Sequence, residues 1–86
     1  MLLALAEAAI NRRGLELLQI NPGYATDLLR INTILRPNSA NTWDSLGYAY
    51  QRTGEKEKAV ASFRSALERD PNLYSAKMAL SELTQN

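Results

Sequence analysis

Few residues of this chain are of types that carry covalent chemistry. Its 86 residues include no histidine and no cysteine. The usual base of a serine nucleophile, a thiolate, a disulfide framework and the common ligands of zinc are therefore all missing. Ser45 stands in Asp44-Ser45-Leu46-Gly47, which lacks the first glycine of a nucleophile elbow and falls inside a helical pattern, so it reads as a packing or solvated serine. Gly14, Gly23, Gly47 and Gly54 are too widely spaced for a phosphate-cradling loop. Glu55, Lys56, Glu57 and Lys58 cluster, but at the start of a helix, where a solvated charged face is the simpler reading. The expectation is a protein without catalysis, cofactor or metal.

Binding chemistry is a different matter, because the chain has four tyrosines, one tryptophan and one phenylalanine. Trp43, Tyr50 and Phe63 recur at core spacing. Tyr48 does not share the face of Tyr50: at about 100° per helical residue the two point about 160 to 200° apart. With 10 basic and 9 acidic residues, a net charge of +1 and Arg12-Arg13 as the one adjacent basic pair, no broad positive field is built, and nucleic acid is not an expected partner. The opening Met1-Leu2-Leu3-Ala4-Leu5-Ala6 is interrupted by Glu7 and reads as the start of a buried helix rather than a signal peptide. No apolar run approaches the roughly 20 residues of a membrane span, so no membrane partner is expected, and a chain without Cys and without a signal is expected in the cytoplasm.

The elements that must position these side chains are helices. No β-branched residues alternate with polar ones over a strand's length. Apolar residues instead recur at three- and four-residue steps in five segments. The first runs from about Leu2 to Leu18 and stops at Asn21-Pro22-Gly23. The second carries Leu28, Leu29, Ile31, Ile34 and Leu35 and ends before Pro37, which cannot continue it. Ser39 can cap the third, and Gly54 can close it in the left-handed conformation. The fourth bears Ala59, Val60, Phe63, Ala66 and Leu67 up to Asp70-Pro71-Asn72, and the fifth covers about Tyr74 to Leu83. Short connections make successive helices antiparallel neighbours within a single domain of residues 1–86.

The segments repeat. Pro37-Asn38 returns as Pro71-Asn72 and Ala25-x3-Leu29 as Ala59-x3-Phe63, both after 34 residues, while Gly14 returns as Gly47 after 33. Residues 7–39 and 40–73 thus form two helical hairpins in a common register, and residues 74–86 repeat the beginning of the unit.

Trp43-x2-Leu46-Gly47-x2-Tyr50, followed by Ala59-x3-Phe63, Ala66 and Pro71, resembles a complete tetratricopeptide repeat. The unit before it keeps the Gly, Ala and Pro but has Ile10, Arg13, Leu17 and Asn32 where the later one has Trp43, Leu46, Tyr50 and Ala66. The fifth helix has Lys77 and Ser81 for Trp43 and Gly47, as suits a polar cap. The resemblance implies an all-α solenoid of antiparallel helical hairpins, about five helices in all. In it Gly47 and Ala59 permit close approach, Trp43, Leu46, Tyr50 and Phe63 fill the space around them, and Ala66 leaves room for the next hairpin. It also implies a concave binding stripe through Asn41, Asp44, Tyr48, Gln51 and Arg52, continued by Asn11, Leu15, Leu18 and Gln19 on the preceding hairpin and by Met78 and Glu82 on the cap. Asp44 and Tyr48 stand where the family's carboxylate clamp has Lys and Asn, which disfavours a ligand ending in a carboxylate.

The function expected is a non-catalytic module holding a peptide segment or partner protein in that groove. Two alternatives stand beside it. One is a self-associating unit: the first helix has too many apolar residues for one buried stripe, so Leu2 and Leu5 could join two copies as a homodimer. The other comes from residues 37–50, which look like the repeat tails of some bacterial serine hydrolases and would make the chain an accessory region.

Overall fold

A computed structural model describes residues 2–85, and the side chains from residue 6 onward. Five helices follow one another: α1 (Leu2–Leu17), α2 (Pro22–Leu35), α3 (Ala40–Arg52), α4 (Lys56–Arg69) and α5 (Tyr74–Thr84). No strand occurs among the described residues. The helices form an elongated stack, 41 × 29 × 17 Å.

Each helix boundary has a local cause. Pro22 opens α2 at a position whose N–H would have no intrahelical partner, and the Asn21 Oδ1 accepts the Tyr24 N–H at 3.2 Å. α3 closes through Gly54, whose φ of 80° is the one positive value among the described residues. Ser39 occupies the N-cap of α3 with extended backbone, yet its hydroxyl caps nothing. It donates instead to the Glu7 carboxylate on α1. The expected cap is therefore given up for a tie between repeats. The repeat itself appears in backbone hydrogen bonds 34 residues apart. Arg36 N–H donates to the Asn32 carbonyl and Asp70 N–H to that of Ala66, both at 2.9 Å. Ser39 N–H donates to the Arg36 carbonyl and Leu73 N–H to that of Asp70, both at 3.1 Å.

Two apolar clusters make the core. Leu18, just past α1, clusters with Ala25 and Leu29 of α2 and Leu46 and Ala49 of α3, with Leu15 and Leu17 of α1 packed against them, and Ala59, Phe63, Ala66 and Ala76 join α4 to α5. Trp43 and Tyr50, each half-buried, pack on both clusters and link them. The close approach at Gly47 seats a ring. A Cβ placed there would lie 2.8 Å from Phe63 Cε1 and 2.9 Å from Cδ1 and Cζ, so the glycine makes room for the ring of Phe63. The same relation holds one unit earlier, where a Cβ on Gly14 would fall 2.6 Å from Leu29 Cγ. In both hairpins a glycine of the first helix receives the large side chain at the 34-residue-related position of the second.

The first hairpin departs from the motif without losing its packing. Asn32, which replaces the small residue of the pattern, is 1% exposed, and its Nδ2 donates to the Glu7 backbone carbonyl at 3.1 Å. That bond serves the amide nitrogen alone; the Asn32 Oδ1 is buried with no donor among the described residues, a desolvation cost that Ala66 of the later unit does not carry. Arg13, at the place of Leu46, is exposed. Glu7 thus collects Asn32 on its carbonyl, Ser39 on its carboxylate and, at 3.7 Å, the Arg36 Nε. Trp43 is also less enclosed than a core tryptophan. Its Nε1 donates to the Pro37 carbonyl at 2.9 Å, and the Arg69 guanidinium lies 4.8 Å from the ring centroid. Ala6, Ala8 and Ala9 on α1 are exposed, whereas the side chains of Leu2 and Leu5 lie outside the described residues.

Candidate functional site

Helix α3 supplies the site because its amphipathic pattern gives it two working faces. Leu46, Gly47 and Ala49 are buried, while Tyr48 between them is 45% exposed. Tyr48 projects into a groove of about 470 Å³ lined by Leu15 of α1, Asp44, Ser45, Tyr48 and Gln51 of α3, Phe63 of α4, and Ser75 and Ala79 of α5. A space of this size takes one or two side chains of an extended segment rather than a folded domain.

Three of the five residues expected on the concave stripe meet there: Asp44, Tyr48 and Gln51. Asn41 and Arg52 are exposed on the same helix but do not line the groove. On the preceding hairpin Leu15 contributes as expected, while Leu18 is withdrawn into the core at 8% exposure. On the cap the expected residues are replaced. Met78 and Glu82 are exposed outside the groove, and Ser75 and Ala79 line it. The reason lies in the stack: Ser75 and Ala79 follow Asn41 and Ser45 by 34 residues, so neighbouring first helices present different edges to the gap between them. One gives its Asp44, Tyr48 and Gln51 edge, and the next gives the edge equivalent to Asn41 and Ser45. The signal for this lies in the 34-residue period, which equates Ser75 and Ala79 with Asn41 and Ser45. Phe63 plays two parts, since its ring fills the space over Gly47 and also forms part of the groove wall.

Asp44 is the one charged residue of the lining. The Ser75 hydroxyl donates to its Oδ2 at 2.8 Å, which joins α5 to α3. Its Oδ1 is buried and receives no hydrogen bond among the described residues. Burial pushes the carboxyl above the usual aspartate range, and the hydrogen bond from Ser75 offsets part of that rise. Asn11, the residue 33 positions earlier, likewise buries an Oδ1 without a donor. No group of three or more carboxylates converges on a potential metal position among the described residues. No described helix is long and apolar enough to cross a membrane.

The hairpin period, the glycine-to-ring contact and the paired turns are those of a helical-repeat protein. Residues 40–73 match the family model of the tetratricopeptide repeat. Over these residues the chain carries a tetratricopeptide repeat within an all-α fold of helical hairpins, and repeats of that kind generally mediate protein–protein interaction. Comparison with curated proteins gives no match.

Proposed function

We propose that this chain is a non-catalytic interaction module that holds an extended peptide segment of a partner protein in the groove between α3 and α5. Tyr48 carries the reading. A tyrosine 45% exposed on the wall of a groove, on a helix whose neighbouring residues are fully enclosed, offers a large contact area without being required by the core. Gln51 and Ser75 add polar groups that can meet a peptide backbone, and Leu15, Phe63 and Ala79 supply apolar walls.

The reading is tested by selecting peptides from a displayed random library on the parent protein and measuring them against a Tyr48→Ala, Gln51→Ala variant. Selected peptides should bind at least tenfold more weakly to the variant, while its melting temperature stays within about 2 °C of the parent. Equal binding by both proteins would remove the groove from consideration.

One observation favours self-association as a second reading, and it moves the contact from α1 to α2. Tyr24, Ile31 and Leu35 are 57%, 47% and 60% exposed. With Leu28 they follow a four-three-four spacing along one stripe, the pattern of a helix-pairing seam. The residues 34 positions later, Lys58, Ser62, Ser65 and Arg69, are all polar. An apolar stripe confined to the first hairpin fits a second copy meeting it across a two-fold axis.

A further inference from the structure

Among the features that the groove reading leaves unused, the Asp44–Ser75 pair stands out chemically. A carboxylate has been placed against an apolar wall with no cation opposite it. Its single side-chain partner is a neutral hydroxyl, and its second oxygen has none among the described residues. None of the other groove residues, Leu15, Ser45, Tyr48, Gln51, Phe63, Ser75 and Ala79, is basic. The one cation on the same stripe of α3, Arg52, follows eight residues later, about 12 Å along the helix axis at 1.5 Å per residue. That exceeds the Debye length of about 8 Å at physiological ionic strength. Among the described residues no lysine or arginine nitrogen lies within 4.0 Å of the Asp44 carboxylate, so its charge has no ion-pair partner there.

We propose that the groove selects a segment bearing a lysine or arginine side chain, whose cationic head docks on the Asp44 carboxylate and the Ser75 hydroxyl. The inference rests on the groove reading above and adds the class of ligand. Ser75 gives its one proton to the Asp44 Oδ2 and keeps its lone pairs, so an ammonium or guanidinium can donate to the Ser75 Oγ and the Asp44 Oδ2 at once. The aliphatic stem of the same side chain suits the rest of the lining, because long cationic side chains lay their methylenes along apolar surface. Leu15, Ala79 and the rings of Tyr48 and Phe63 offer that surface. The charge complementarity also excludes the opposite ligand: a carboxylate would meet Asp44 in a partly desolvated setting with no counter-ion. Burial already holds the Asp44 carboxyl above its usual range, and an incoming cation relieves that penalty.

The test uses three capped, fluorescein-labelled nonapeptides of identical sequence, with lysine, norleucine or glutamate at a central position flanked by leucines. Binding is read by fluorescence anisotropy. On the parent protein the lysine peptide should bind at least tenfold more tightly than the other two, and the advantage should shrink as salt is raised. Asp44→Asn should bring the lysine peptide to the level of norleucine, and Ser75→Ala should weaken it severalfold, with helical content checked by circular dichroism. Tyr48→Ala should weaken the lysine and norleucine peptides alike. Norleucine or glutamate binding as tightly as lysine on the parent would overturn the cation inference. If Tyr48→Ala still weakened them in that case, the groove reading would survive it. Absence of binding by all three at millimolar concentration would overturn both.

Discussion

Gly47→Ala sets two opposed effects against each other, and the structure says which prevails. In an ordinary helix interior the change is favourable by about 1 kcal/mol, because alanine loses less backbone freedom on folding. Here the added methyl carbon would lie 2.8 to 2.9 Å from three atoms of the Phe63 ring, against an ordinary carbon–carbon separation of about 3.5 to 4.0 Å. The ring has little room to withdraw. Phe63 is 2% exposed, and Ala59, Ala66 and Ala76 of its cluster are fully enclosed. Overpacking of this kind costs about 1 to 3 kcal/mol, so the balance is a net loss of about 1 kcal/mol. For a chain of this size that lowers the melting temperature by about 4 to 8 °C. The assay is thermal and urea unfolding followed by helical circular dichroism. Gly23→Ala serves as the control, since a Cβ there would find a single neighbour, Asn21 Oδ1 at 4.0 Å, and the propensity gain should appear alone. Phe63→Leu in the Gly47→Ala background should cost less than in the parent, with a coupling of about 0.5 to 3 kcal/mol. A Gly47→Ala protein stabilised as much as the control would refute the claim that the glycine exists to seat the ring.

Two further outcomes follow from other parts of the molecule. Asp44 has a folded-state pKa raised by burial, so the folded state holds its proton more firmly than the unfolded one, and stability falls as pH rises from about 3.9 through the raised folded value. Asp44→Asn should accordingly melt at a higher temperature than the parent at pH 7, with the difference closing below about pH 3; a constant difference across that range would count against the burial argument. If the α2 stripe joins two copies, light scattering should give a dimer mass for the parent at high micromolar concentration and a monomer mass for Ile31→Glu with Leu35→Glu. A parent already monomeric there would dismiss that reading.

The helices, their order and their 34-residue register were legible in the sequence because each rests on local chemistry. Pro22 and Pro37 act through a missing N–H and a fixed φ, Gly54 through its tolerance of positive φ, and the apolar stripes through a period that any helix imposes. The motif residues Trp43, Leu46, Gly47, Tyr50, Ala59, Phe63, Ala66 and Pro71 were visible for the same reason, since packing at a fixed spacing constrains residue size. Other facts depend on residues brought together from distant parts of the chain. That the ring of Phe63 lies over Gly47 depends on how α4 is turned against α3. That Ser39 serves Glu7 rather than its own helix, and that the Asn32 Nδ2 finds the carbonyl of Glu7, depend on α1 lying beside α2 and the turn that follows it. The groove shows the division most clearly. The helical period placed Asp44, Tyr48 and Gln51 on one stripe, but a stripe continues along a helix without limit. The crossing of α3 by its neighbours decides where it becomes a groove, drawing in Leu15, Ser75 and Ala79 and leaving Asn41, Arg52, Met78 and Glu82 outside. Periodicity specifies a direction around one axis, and the relative rotation and offset of several axes are set by the packing of all of them together.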